Sequence, residues 1–257
     1  RTAVVVGMGN VALDCVRMLN APPGLLERTD CTSTAAHQLL TSTVRCTQVL
    51  GRRGPLQAQF TIKEFRELAL LGHPEGAAKP ADPNPWLDLR LPEEACRQAA
   101  VAATGNRPKK RLMDLLEVVA GRPQAAEREA SFQFFRVPIE FRGDAEGRVK
   151  EVVCAVTEVD DQGRSVQTSE VEVLPCDLVL RSVGYQSTAI EGVPFDAQRK
   201  KVRTDPKQRV LAGDGTVLPG VYATGWAGTG PTGVVATTIS NAAECARTLA
   251  RDLDAAP

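Results

Sequence analysis

The spacing of apolar positions changes period several times along the chain, and each change marks a predicted element. Residues 3–6, Ala-Val-Val-Val, form an unbroken β-branched run, the pattern of a strand covered on both faces of a parallel sheet. The period then becomes helical, with Ala12, Leu13, Val16 and Leu19 apolar, and stops at Asn20 before Pro22 and Pro23, which cannot continue a helix. A second apolar run over 44–50 predicts a second strand. Thr61 with Glu64 three residues later is a capping box, which starts a helix by satisfying two orphan N–H groups. Residues 72–92, rich in Pro, Gly and Ala, read as a surface loop, and 93–103 and 109–120 as short helices.

From Phe132 the pattern turns to strands. Residues 149–158 and 165–174 alternate around Asp160-Asp161-Gln162-Gly163, a hairpin turn, and lead into a short strand over 178–180. Residues 221–226 read as a last strand. Pro231 then opens a helix at the first position, which tolerates it. That helix carries Val235, Ile239, Ala242, Ala246, Leu249 and Leu253.

Composition narrows the classes. Hydrophobic residues make up 43% of the 257 and charged residues 24%, which excludes a disordered chain. Aromatics are only 4%, so the core is built from Val, Leu, Ile and Ala. Lys+Arg and Asp+Glu both total 31, so no global field favours nucleic acid or an anionic membrane, and a charged partner needs a local patch. No apolar run reaches the ~20 residues of a membrane-spanning helix, leaving at most peripheral association, and no targeting segment is visible. The seven cysteines are widely spaced with no C-x-x-C, and are expected to be scattered buried thiols in a reducing compartment. Neither a metal site nor a histidine-based triad is supported by the two histidines, His37 and His73.

The strand at 3–6 runs into Gly7-Met8-Gly9-Asn10-Val11-Ala12, a G-x-G-x-x-A turn opening a helix. Strand, glycine turn and helix in that order are the context a dinucleotide fingerprint requires. Gly7 permits the tight turn, Gly9 lets backbone approach a pyrophosphate, and Ala12 allows close helix–strand packing. The helix N-terminus supplies free N–H groups and partial positive charge. Tight strand-to-helix turns use glycine for their own sake too, so the context carries this reading. The second strand ends in Gly51-Arg52-Arg53-Gly54-Pro55, two arginines where an NAD site carries an acid. Arginine binds phosphate bidentately, so the pair favours the 2′-phosphate of NADP over an ordinary solvated turn. The long connection over 21–43 reads as an insertion.

These stretches, with Leu13-Asp14, Leu56-Gln57, Thr61-Ile62-Lys63-Glu64 and, far downstream, Gly225-Trp226 and Gly230-Pro231-Thr232-Gly233-Val234-Val235-Ala236-Thr237-Thr238, resemble the adrenodoxin reductase family of mitochondrial-type ferredoxin–NADP reductases. The order and spacing match along nearly the whole chain, least well over 21–44 and 71–106. The resemblance implies an α/β fold: a Rossmann-like NADP-binding domain over 1–187, whose parallel sheet carries an antiparallel insert, and the C-terminal portion of an FAD-binding domain over 188–257. It implies NADP contacts at Met8, Gly9, Asn10, Val11, Arg52, Arg53 and Glu64. It also implies FAD contacts at Trp226, Gly233, Val234 and Val235, with Gly233 near the nicotinamide. Glu64 retains its plain explanation as half of a capping box. The strip Arg107-Pro108-Lys109-Lys110-Arg111 reads either as a solvated helix start or as a docking patch, and the resemblance implies that Arg107 and Arg111 receive a 2Fe–2S ferredoxin.

The expected protein is an NADPH-dependent flavoprotein oxidoreductase of the mitochondrial matrix, passing electrons from NADPH through FAD to an adrenodoxin-like ferredoxin. Only one glycine-rich turn of this kind is present, so the chain is expected to lack the first FAD half, to be inactive alone, and to bind NADP better than FAD. The cofactors carry the chemistry and no general acid or base is assigned. Two rivals stand beside it: an NADP-binding module without catalysis, and a related NADPH–FAD subunit feeding another acceptor.

Overall fold

The computed structural model describes residues 1–255 and divides the chain into two compact units, Arg1–Val183 and Gly184–Pro257. The first is a three-layer α/β unit. Its central sheet has the order β3-β4-β2-β1-β8, formed by β1 (Thr2–Val6), β2 (Cys46–Gly51), β3 (Asp88–Arg90), β4 (Glu129–Phe134) and β8 (Leu178–Arg181), with every pair parallel. The expected α/β class and parallel sheet are therefore present.

The β1 run alternates between two cores, as a strand buried on both faces must. Val5 faces α1 (Asn10–Leu19), α3 (Ile62–Ala69), α4 (Glu93–Ala102) and α5 (Arg107–Ala120), in a cluster with Leu13, Val16, Phe65, Leu68, Met113 and Leu116. Phe60 stacks on Phe65 at 5.4 Å, and Phe132 meets Phe65 edge-on at 5.8 Å, an arrangement aromatic quadrupoles favour. Val4 faces the other way, into a cluster with Leu50, Val152, Cys154, Leu174 and Cys176. This second layer is the antiparallel meander β5 (Arg136–Gly143), β6 (Val149–Val159) and β7 (Ser165–Pro175).

Both hairpins of the meander use one local device. Asp144 and Asp160 each accept N–H groups two and four residues on, through Oδ1, and Gly147 and Gly163 each take φ +74°. The sequence Asp-x-x-Gly-Arg writes both turns, yet only the second is predicted above; the first, and with it β5, shows only once that repeat is noticed. The 72–92 segment also departs from a plain surface loop. Leu87, Leu89 and Leu91 are buried and β3 adds an edge strand. Asp88 fixes that edge by accepting N–H groups of Ala125 and Ala126 at 3.0 and 3.1 Å. The insertion over 21–43 contains α2 (Ser33–Leu40), capped by Thr32.

The second unit has β9 (Phe195–Asp196), β10 (Lys201–Val202), β11 (Arg209–Leu211), β12 (Val217–Tyr222), α6 (Gly225–Thr229) and α7 (Val235–Asp254). Asp252 of α7 pairs with Arg209 and accepts the Tyr222 hydroxyl at 2.8 Å, tying the helix to β11 and β12. Two expectations fail here. The strand ends at Tyr222, and Gly225-Trp226 begin a short helix, because Gly225 takes φ +56° and turns the chain out of extended geometry. Pro231 is not the first residue of the last helix either. Gly233 at φ +83° interrupts helical geometry, so α7 starts at Val235. The cysteines are all free; Cys96, Cys154 and Cys176 are buried and the other four half-buried. Burial pushes the Cys96 thiol up to about 12 and Cys154 to about 11, so both remain protonated and inert.

Candidate functional site

From β1 the chain moves to β2 on one side, and much later returns to β8 on the other, so the sheet order reverses at the carboxyl end of β1, the kind of position where α/β sheets bind ligands. Gly7 stands at that point with φ +133°, and a Cβ there would lie 2.2 Å from the Ser182 carbonyl oxygen. Only glycine fits. Ser182 donates its N–H to Val6 at 2.8 Å, which holds the approach closed.

The turn then presents its backbone. Gly9 is extended at the N-cap of α1, with nothing within 4 Å of the position its Cβ would take. Its carbonyl accepts the N–H groups of Ala12 and Leu13, whereas those of Met8, Gly9, Asn10 and Val11 find no acceptor among the described residues. Open space above a row of free N–H groups at a helix N-terminus is an anion site.

Arg52 and Arg53 follow β2, the neighbour of β1 in register Val6 to Leu50. Gly51 lies against Met8, whose Cε would be 2.7 Å from a Cβ at that residue. The Arg52 carbonyl accepts the hydroxyls of Thr157 and Ser165 at 2.9 and 2.7 Å, so the meander pins the backbone and leaves the side chain exposed. Arg53 makes one long contact to the Gly163 carbonyl, 3.5 Å. Among the described residues neither guanidinium has a carboxylate within ion-pair reach. The structure thus puts Met8, Gly9, Asn10, Val11, Arg52 and Arg53 at one end of the sheet.

Glu64 joins them by an indirect route. Thr61 caps α3, accepting the Glu64 N–H, but Glu64 does not return the bond. The Thr61 N–H goes instead to Asn10 Oδ1 at 2.8 Å. Asn10 therefore staples the glycine turn to the start of α3, a link that sequence spacing does not reveal. Arg17 adds a second tie between these helices through Glu67 at 3.1 Å. With the box left open, Glu64 Oε2 is buried without a partner.

The remaining residues lie elsewhere. Arg111 and, one turn earlier, Arg107 in the first turn of α5 are exposed, and the cap Asn106 accepts the Lys109 N–H at 3.0 Å. That turn holds no acidic residue, so its basic side chains oppose the helix dipole, at about 0.3–1 kcal/mol each when exposed. In the second unit Trp226 is 43% exposed and tilts against Tyr185, ring centroids 5.7 Å apart. Gly233 leads into Val234 and Val235, 51% and 76% exposed at the start of α7. Among the described residues no group of His, Cys, Asp or Glu is placed to hold a metal ion. No helix among the described residues is long and apolar enough to cross a membrane.

The open box separates two roles that sequence leaves fused. Thr61→Ala removes a cap and is expected to cost about 0.5–2 kcal/mol. Glu64→Gln should leave the urea midpoint unchanged or raise it, since it removes charge from a buried oxygen that accepts no bond. Equal losses in the two variants would show that Glu64 supports the helix after all.

No family model matches the chain. Comparison with curated proteins gives 40% identity to NADPH:adrenodoxin oxidoreductase, mitochondrial, of Bos taurus, over 99% of this chain and 51% of that protein. The NADPH-ferredoxin reductase FprA of Mycobacterium tuberculosis is 36% identical over 98% of the chain and 52% of its own length. The solved structure of that FprA in complex with NADPH superposes with TM-score 0.81 at 32% identity, over 98% of this chain and 52% of its own. The chain spans about half the length of the curated relatives it matches. Aligned over 98–99% of its own length in sequence and 98% in fold, the chain belongs to the adrenodoxin-reductase-type ferredoxin–NADP reductase family.

Proposed function

We propose that this chain forms the NADPH-binding part, and one side of the flavin site, of an NADPH-dependent, FAD-containing reductase that delivers electrons to a 2Fe–2S ferredoxin. Residues 1–187 are the NADP-binding domain and 188–257 the C-terminal portion of an FAD-binding domain. The carrying observation is the row of N–H groups at Met8–Val11 without an acceptor, beside two arginines without an acidic partner, among the described residues. That donor set suits a pyrophosphate and a phosphomonoester on one ligand.

Each residue has a task in this reading. Met8, Gly9, Asn10 and Val11 hold the pyrophosphate through their backbone. Arg52 and Arg53 take the 2′-phosphate and thereby choose NADP over NAD. Glu64, with a buried oxygen in need of a donor, accepts a hydroxyl of the nucleotide. Trp226, Gly233, Val234 and Val235 cover one side of the flavin, where exposed apolar groups and the free N–H groups opening a 20-residue helix suit a ring and its polar edge. Together the bound cofactors supply hydride acceptance and one-electron release, while the protein positions them and sets the local electrostatics. The names of the animal relatives favour a mitochondrial location, while the FprA structure has the same fold in a bacterium.

The acceptor side rests on α5. Arg107 and Arg111 are one helical turn apart, both exposed, and their chain has no net charge. A local strip of this kind steers an acidic carrier without general polyanion binding.

Two outcomes test the proposal. Replacing Arg52 and Arg53 together with Ala should weaken NADP binding by about 1.5–3 kcal/mol for each charged hydrogen bond lost, with NAD affinity nearly unchanged. Calorimetric titration of both nucleotides decides, and undiminished NADP affinity sinks the assignment. In the whole reductase, Arg107→Glu with Arg111→Glu should slow ferredoxin reduction most at low ionic strength, because exposed charges are screened beyond ~10 Å at 0.1 M salt. Reduction of a small neutral quinone should continue at the parental rate. Loss of both acceptors together would make the strip structural.

A further inference from the structure

The basic strip at the start of α5 is not one patch. A helix repeats every 3.6 residues, so Arg107 and Arg111 share one face, and Lys109 shares another with Leu112, Met113 and Leu116. Those three apolar residues are buried. Lys109 thus occupies a core-face position, half-buried, where a lysine without an acid is unusual. Its Nζ donates to the Ala58 carbonyl at 2.9 Å. An ammonium carries three donors, so two remain.

Ala58 belongs to the turn that directly follows the arginine pair. Gln57 donates its N–H to Gly54 at 3.1 Å and Ala58 donates to Pro55 at 3.0 Å, so the chain from Arg53 to Ala58 is tightly wound. Lys109 is anchored on that turn. Burial, and secondarily the charge of Arg53, pull the Lys109 ammonium below its ordinary range. No carboxylate within ion-pair reach compensates either charge among the described residues, although the adjacent Lys110 pairs with Asp114. Two half-buried cations at one turn, Arg53 opening it and Lys109 bonded to the Ala58 carbonyl that closes it, with unused donors and no acid among the described residues, suit a dianion.

We propose that Lys109 is the third cation of the site opened by Arg52 and Arg53, and that it binds the 2′-phosphate of the adenine ribose. This rests on the NADP reading of that site. It gives neighbouring residues of one helical turn separate duties: Arg107 and Arg111 outward to the protein partner, Lys109 inward to the nucleotide. An exposed strip would be screened by salt, whereas a half-buried ammonium on a fixed carbonyl keeps its attraction for phosphate at physiological ionic strength.

The test measures binding of adenosine 2′,5′-bisphosphate and of 5′-ADP by calorimetry at about 0.15 M salt, on the parent protein, Lys109→Gln, Lys109→Arg and the Arg52→Ala/Arg53→Ala variant. Glutamine keeps a donor for the Ala58 carbonyl, and arginine keeps the charge. Lys109→Gln should weaken the 2′-phosphorylated ligand on the order of tenfold, the loss of one charge-assisted bond. Its affinity for 5′-ADP and its melting temperature should stay at parental values, and Lys109→Arg should restore most of the tenfold. The inference is overturned if Lys109→Gln binds the bisphosphate normally, or if it loses both ligands equally along with thermal stability, which would mark the Ala58 bond as purely structural. Should the double arginine variant lose discrimination while Lys109→Gln keeps it, the site stands and Lys109 is not part of it. Should neither lose it, the NADP reading fails as well.

Discussion

At Gly7 the backbone leaves the sheet with φ +133° against the carbonyl of Ser182, in a space that admits no side-chain carbon. The nucleotide end of the protein depends on that approach. It brings the carboxyl ends of β1 and β8 together where the sheet order reverses, and turns the following residues outward so that their N–H groups meet solvent rather than carbonyls. Asn10, the first residue of α1, then hands its side chain to Thr61 and fixes where α3 starts. Glu64 is set by that staple rather than by a capping box, which is why its carboxylate is available. A change at Gly7 would therefore propagate through the turn to α3.

The meander plays a comparable part for the arginines. Thr157 on β6 and Ser165 on β7 both donate to the Arg52 carbonyl, so a layer that is remote in sequence sets the backbone of the charged pair. The same layer fills the second face of the parallel sheet through Val152, Cys154 and Leu174. Support and site are one construction: the meander fixes the Arg52 backbone while leaving its guanidinium exposed, and its second hairpin touches the half-buried Arg53 guanidinium only at the Gly163 carbonyl.

Much of this was legible in the sequence because local chemistry wrote it. The β-branched run at 3–6, the glycine turn and the proline stop after Asn20 each carry their own structural reason, and β1 and α1 lie where those reasons put them. What escaped depends on distant or compensating contacts. The short β3 gains its strand geometry from pairing with β4 and from Asp88, within a segment whose composition suggests only a loop. The geometry around Trp226 turned on positive φ values at Gly225 and Gly233, which hydrophobic spacing cannot distinguish from a straight strand and an immediate helix. Lys109 was hidden among the four basic residues of 107–111, which read as one basic strip until helical phase separates their faces.

The central claim is that the glycine turn and the arginine pair form one nucleotide site. Backbone and arginine side-chain NMR during titration with oxidised NADP tests it most directly. The account predicts that the amides of Met8, Gly9, Asn10 and Val11 and the guanidinium signals of Arg52 and Arg53 shift along one saturation curve. Shifts of the turn without the arginines, of the arginines without the turn, or on curves of different midpoint would contradict it.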